Sequence, residues 1–185
     1  MSRTVSNMLP LGTHAPKFNL INPVTGNSVN LDDIKSDKAT VIMFICNHCP
    51  YVKHVQTHLV ELANDYIQKG ISFAAINSND VDNYPDDSPE KMKETSKEFK
   101  YPFPYLFDET QEVAKAYQAA CTPDFYIFNS ERGLVYRGQL DDSRPGNDIP
   151  VTGKDMRAAL DSILENKPVS TEQKPSLGCN IKWKD

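Results

Sequence analysis

Residues 40–49, Thr-Val-Ile-Met-Phe-Ile-Cys-Asn-His-Cys, limit the fold more than any other stretch of the chain. The uninterrupted β-branched and apolar run over 40–45 has no polar face, so it suits a central strand buried on both sides of a sheet. From Tyr51 to Gln68 the apolar positions Val52, Val55, Leu59, Leu62, Ala63 and Ile67 recur at helical spacing, and Gly70 ends that helix. Cys46 and Cys49 therefore fall where a buried strand hands over to a helix N-terminus. Two thiols with two residues between them can close a small disulfide ring. The positive end of the helix dipole also favours a thiolate there, the species that attacks disulfides and peroxides. The pattern points to redox chemistry with Cys46 and Cys49 as the working pair.

The rest of the chain alternates. Residues 17–31 read as a hairpin turned at 23–27. Ile71 to Ile76 is a second buried strand, and Asn77 to Asp87 a polar loop. Ser88-Pro89-Glu90 is a helix start, with Ser at the cap and Pro at the first helical position, and that helix runs to about Phe99. A short strand at 105–107 and a short helix at 110–119 follow. Strands at 124–128 and 133–136 are joined by the turn 129–132. Next come a long polar loop, Asp141 to Thr152, a last amphipathic helix, Asp155 to Leu164, and a Pro-rich polar tail from Lys167. This predicts one α/β domain over 1–185, with a core of about 12–165 and a tail of 166–185. Its mixed sheet lies between helices on both faces and begins with an N-terminal hairpin.

Composition narrows the function. The 185 residues carry 20 Lys and Arg against 25 Asp and Glu, a net charge of −5, which provides no footprint for nucleic acid or an acidic membrane surface. The first twenty residues contain no apolar stretch of signal-peptide length, and no run elsewhere would span a bilayer. The expected setting is cytoplasmic. Thiols are kept reduced there, so four cysteines point to catalysis or metal binding rather than structural staples.

Three motifs together resemble the thioredoxin fold: Gly12-Thr13-His14-Ala15-Pro16-Lys17-Phe18, Cys46-Asn47-His48-Cys49-Pro50, and Thr122-Pro123. Within that fold the chain resembles the redoxin branch. This branch contains the alkyl hydroperoxide reductase/thiol-specific antioxidant proteins and the thioredoxin-like thiol–disulfide oxidoreductases. The resemblance spans roughly Gly12 to Leu164. A narrower one, to redoxin-domain proteins, rests on residues 47–53 and on Gly178-Cys179-Asn180-Ile181-Lys182-Trp183. The resemblance implies a cis bond before Pro123, facing the cysteines. It also implies that Pro123 and its neighbours, Thr122 among them, hold a partner chain in an extended pose.

The departures from the family pattern matter as well. His48 directly before the second cysteine resembles the strongly oxidising disulfide-forming enzymes, because an imidazolium stabilises the reduced thiolate. The buried acid that thioredoxins place under the pair has no match in Thr40 to Ile45, so His48 or an acid from another loop would have to move protons. Peroxiredoxins carry Thr-x-x-Cys here. Cys49-Pro50 would match their peroxidatic cysteine, Cys46 replaces their Thr, and their activating Arg has no clear match. By likeness to thioredoxins Cys46 attacks and Cys49 resolves, which is the favoured order. If Pro50 opens the helix, however, Cys49 is the cap and feels the dipole most.

Other candidates have competing readings. Cys121 is an additional redox thiol or a small core residue. Cys179 lies on the tail, where typical peroxiredoxins place a resolving cysteine, or is an incidental buried thiol. His54 and His58 have metal-ligand spacing, but a solvated helix face is favoured. Lys53 is a thiolate partner or a surface lysine. Arg144 binds a substrate carboxylate or simply braces its own loop. The expected function is thiol–disulfide exchange on a protein or small-molecule substrate, reset by a thioredoxin- or glutathione-type reductant. No cofactor, metal, nucleic acid or membrane is expected. The alternatives are a thiol peroxidase with antioxidant activity and a non-enzymatic thiolate metal carrier or redox sensor.

Overall fold

A computed structural model describes residues 3–184. The chain runs β1 (Arg3–Val5), β2 (Asn19–Ile21), β3 (Ser28–Asn30), β4 (Ala39–Phe44), α1 (Pro50–Ile67), β5 (Ser72–Asn77) and a 3-10 turn (Pro85–Asp87). It continues through α2 (Pro89–Glu98), β6 (Tyr105–Phe107), α3 (Glu112–Ala116), β7 (Cys121–Thr122), β8 (Asp124–Asn129), β9 (Leu134–Gly138), α4 (Lys154–Leu164) and β10 (Leu177–Asn180).

Seven strands form the main sheet, in the order β3-β2-β6-β5-β4-β8-β9. β4 pairs parallel with β5 and antiparallel with β8, and β5 pairs parallel with β6. All six residues of β4 are buried, as a run without a polar face requires. Val41 and Met43 join one core with Val52, Val55, Leu59 and Leu62 of α1 and with Met156 and Leu160 of α4. Ile42 and Phe44 join the opposite core with Val113 and Ala114 of α3 and with Tyr117. Helices therefore cover both faces. Burying each large aliphatic side chain contributes about 1.5–3 kcal/mol, so the alternation along β4 binds the two layers to one strand. Gly70, at φ +89, turns the chain from α1 into β5, where a side chain would be strained.

Two features differ from the sequence reading. The polar loop after β5 is built inward: Asn77, Ser78, Asn79, Asp80 and Asp87 are all buried, held by side-chain bonds to backbone and to other side chains that leave no hydrophobic period. The tail, read as Pro-rich and polar, contributes β10, which lies between β1 and β7 in a separate three-stranded antiparallel sheet.

Candidate active site

Cys46 lies just beyond the last residue of β4, and Cys49 is the capping residue of α1, with Pro50 at the first helical position. Pro50 has no N–H to lose there, and its fixed φ suits the first turn. The β7–β8 junction meets this corner because Phe44 pairs with Asp124. The Thr122–Pro123 bond is cis. Thr122 touches both sulfurs, its Oγ1 lying 3.3 Å from Cys46 Sγ and its carbonyl oxygen 3.3 Å from Cys49 Sγ.

Cys46 is 1% exposed and Cys49 0%. Both are sealed from solvent, yet they sit beside Pro123 and at the helix start. What covers Cys49 is the chain itself. β10 pairs antiparallel with β7, Cys179 opposite Thr122 and Asn180 opposite Cys121, and Cys179 Sγ lies 2.6 Å from Cys49 Sγ. The extended pose expected for a partner chain beside Thr122 and Pro123 is thus taken by residues 177–180.

The electrostatics separate the cysteines. The Cys49 thiol is lowered to about 5, chiefly by a hydrogen bond from the Cys46 thiol. Burial opposes this, and a bond from the Cys179 thiol and the backbone N–H groups of Val52 and Cys179 support it. The Thr122 carbonyl also opposes ionisation, since it accepts a proton only from a neutral Cys49; the converging donors outweigh it. Cys46 is pushed well above the ordinary thiol range, by burial first and then by its hydrogen bond to Cys49. Cys179 is pushed up to about 12 by burial and by its bond to Cys49. Cys121, buried in β7 with its thiol 3.6 Å from the Pro123 carbonyl, is raised by burial and carries no activating donor.

An acid from another loop serves this corner. Asp87, fully buried, accepts from the backbone N–H groups of Asn47 at 2.7 Å and His48 at 3.3 Å through Oδ1. Its Oδ2 accepts from Asn79 Nδ2 at 2.8 Å and from His48 Nδ1 at 2.5 Å. The His48 ring stacks on Tyr84, and Tyr105 donates to Asn47 Oδ1 at 2.9 Å. The Cys-Asn-His-Cys turn is therefore held by a carboxylate. The sequence reading missed Asp87 because it sits inside a polar stretch; the one available signal was an acid directly before the Ser88-Pro89 helix start.

Cys46, His48 and Asp87 each bring a ligand-type atom within 4.8 Å of the others. His48 Nδ1 and both Asp87 oxygens are already engaged in hydrogen bonds with one another, with the backbone of the turn and with Asn79. Asp87→Asn is expected to cost about 1–3 kcal/mol of stability, because its new amide would face donors that now have an acceptor. Urea unfolding monitored at the two cores measures this.

Of the remaining candidates, His54 and Arg144 line a small pocket together with Pro123. His54 Nε2 bonds Ser143 Oγ at 2.7 Å, whereas His58 is exposed, so the pair does not converge. Lys53 is exposed on an outer groove beside His48. Arg144 Nη1 donates to the carbonyls of Asp141 and Ser143, both at 2.6 Å, and Nη2 donates to Gln139 Oε1. Its guanidinium braces the 141–152 loop.

Fold and site together define a thioredoxin-like protein with thiols at the strand–helix corner. The AhpC/TSA family pattern matches residues 11–137, and the chain belongs to that family. Its members are generally oxidoreductases or peroxidases, which implies thiol-based redox partners. An uncharacterized conserved protein from Geobacillus kaustophilus is 68% identical over 100% of this chain and 97% of that chain, at a TM-score of 0.98. A hypothetical protein from Sinorhizobium meliloti 1021 is 48% identical over 98% of each chain, at 0.95. A peroxidoxin from Mycobacterium tuberculosis shares the fold, at 15% identity, 86% and 98% coverage and a TM-score of 0.62. No curated protein matches the sequence. Among the described residues no helix is long and apolar enough to cross a membrane.

Proposed function

We propose that the protein is a thiol–disulfide oxidoreductase whose working pair is Cys46 and Cys49, with Cys49 as the attacking thiolate. The observation that carries this reading is the position of Cys49 as the capping residue of α1, where the Cys46 and Cys179 thiols and the backbone N–H groups of Val52 and Cys179 converge on its sulfur and favour its thiolate. The order of attack taken from the thioredoxin resemblance is inverted in this reading. Cys49 attacks a substrate disulfide and expels one thiolate. Cys46 loses its proton toward the His48–Asp87 pair, which lies within 4.8 Å, and attacks the Cys49 sulfur. The second product thiol leaves, and the pair remains as a disulfide. A thioredoxin- or glutathione-type reductant resets it, in a cytoplasmic setting where both pools are maintained.

The pH dependence of alkylation tests this. The thiolate is the reactive form and predominates above its pKa, so iodoacetamide should label Cys49 half-maximally near pH 5 and at a constant rate above neutrality. Below pH 5 the rate should fall about tenfold per unit. Preferential labelling of Cys46, or a midpoint in the ordinary thiol range, would remove the assignment.

A second reading, thiol peroxidase activity, is favoured by the seal over the site: with Cys46 and Cys49 1% and 0% exposed, a small oxidant reaches Cys49 more readily than a protein does. Cys49 would become a sulfenic acid, resolved by Cys46, Cys121 or Cys179. Rapid peroxide-dependent dimedone labelling of Cys49 in a Cys46→Ser variant supports it, and inertness to peroxide ends it.

A further inference from the structure

The strand that seals Cys49 is positioned as a substrate would be. An extended peptide added to a sheet edge gains affinity from main-chain bonds and specificity from its alternate side chains. β10 meets both conditions against β7, with Cys179 presented to the sulfur of Cys49 at 2.6 Å. The residue before it is fixed by sterics. A Cβ at Gly178 would collide with the Thr122 carbonyl oxygen, so only glycine passes under that carbonyl. The tail is tied on both sides of this contact. Ser176 Oγ donates to the Pro123 carbonyl at 2.7 Å, the Ile181 N–H reaches the Ala120 carbonyl at 3.2 Å, and the Lys182 N–H donates to Asn79 Oδ1 at 2.9 Å.

We propose that residues 177–180 are a built-in substrate: the β7 edge beside Cys49 is a seat for an extended strand bearing a Gly-Cys pair, and Cys49 and Cys179 interconvert between two thiols and a disulfide. This rests on Cys49 being the attacking thiolate. Given a low-molecular-weight disulfide RSSR, Cys49 forms Cys49–S–SR and releases RS⁻, which takes up a proton. The Cys179 sulfur then gives up its proton and attacks the Cys49 sulfur. The Cys49–Cys179 bond forms, the bond to SR breaks, and a second RSH leaves. Two thiols are oxidised and one disulfide is reduced. A polypeptide disulfide must first displace a tethered strand held at high effective concentration, whereas a small one needs only to reach the sulfur. The seat therefore selects small oxidants and admits from polypeptides only a cysteine preceded by glycine.

The test treats the full-length protein with one equivalent of oxidised glutathione, quenches in acid, digests and maps the disulfides by mass spectrometry. The expected product links Cys49 to Cys179. In Gly178→Ala the same link should form about tenfold less, since the added methyl has no space under the Thr122 carbonyl, while Cys49 still takes up glutathione. Fluorescence of Trp183, the chain's one tryptophan, reports the displaced tail. Should Gly178→Ala fail to fold, Cys179→Ser provides the parallel arm, with glutathione expected to persist longer on Cys49. A wild-type product containing only the Cys46–Cys49 link overturns the built-in substrate and leaves the dithiol reading standing. An unchanged Cys49–Cys179 yield in Gly178→Ala overturns the seat. Glutathione found only on Cys46 overturns both.

Discussion

Cys49→Ser is expected to lower the reduction of a small disulfide by about three orders of magnitude or more, since a serine hydroxyl does not ionise at neutral pH and loss of a nucleophile removes the covalent route entirely. Cys46→Ser should behave differently. Its hydroxyl still donates toward Cys49, so the first attack proceeds, and Cys179 is then the thiol left to displace the product from Cys49. Cys46→Ala removes that donor as well, and the Cys49 thiol should move up toward the ordinary thiol range, because the bond from Cys46 is the largest cause of its lowering. Turnover assays on the three variants, with thiolate ultraviolet absorbance followed against pH, separate these effects. An active Cys49→Ser beside an inactive Cys46→Ser would restore the thioredoxin order of attack.

The second large effect concerns stability. Arg137 and Asp124 form an ion pair in which both side chains are fully buried. Arg137 Nη2 reaches Asp124 Oδ2 at 2.9 Å and the Gln118 carbonyl at 3.2 Å, Nη1 reaches the Tyr117 carbonyl at 3.3 Å, and the guanidinium lies 4.0 Å over the Tyr126 ring. Arg137→Met keeps much of the volume but strands a carboxylate in the core, at an expected cost of about 3–5 kcal/mol. Burial already raises the Asp124 carboxyl to about 7 despite its partner. The folded state therefore holds this proton over a range in which the unfolded chain releases it, and the Asp124 contribution to stability should decline as pH climbs from about 4 to about 7. Denaturant unfolding at several pH values, with Asp124→Asn as the reference that abolishes the titration, measures both effects. Full stability in Arg137→Met would refute the argument.

Much of this architecture was legible because its signals are local. The apolar run before Cys46 leaves only a two-sided burial, and the periodicity from Val52 to Ile67 has one apolar face. Pro50 and Pro89 open helices where their lost N–H costs nothing. The alternative that Cys49 caps α1 followed from the same rule, and the helix begins at Pro50. What escaped was non-local. Asp87 reaches the active-site turn across about forty residues, and its burial depends on Asn77 and Asn79 folding inward beside it. β10 has no alternating apolar pattern to announce a strand; its central pair is Gly178 and Cys179, chosen by what lies opposite. Arg144, on a long loop that fits either a binding site or a self-braced turn, donates to the Asp141 and Ser143 carbonyls within its loop and to Gln139 just outside it.

The three-stranded sheet also bears on how the molecule is made. Among the described residues, Arg3 to Val5 pair with residues 177–179, so the first described strand waits for one of the last to be synthesised. A nascent chain on the ribosome can assemble β4, α1 and the Cys-Asn-His-Cys turn well before the stretch that shields Cys49 exists. During that interval Cys49 is uncovered, and the long span must close before the cover forms, at an entropic cost that grows slowly with its length.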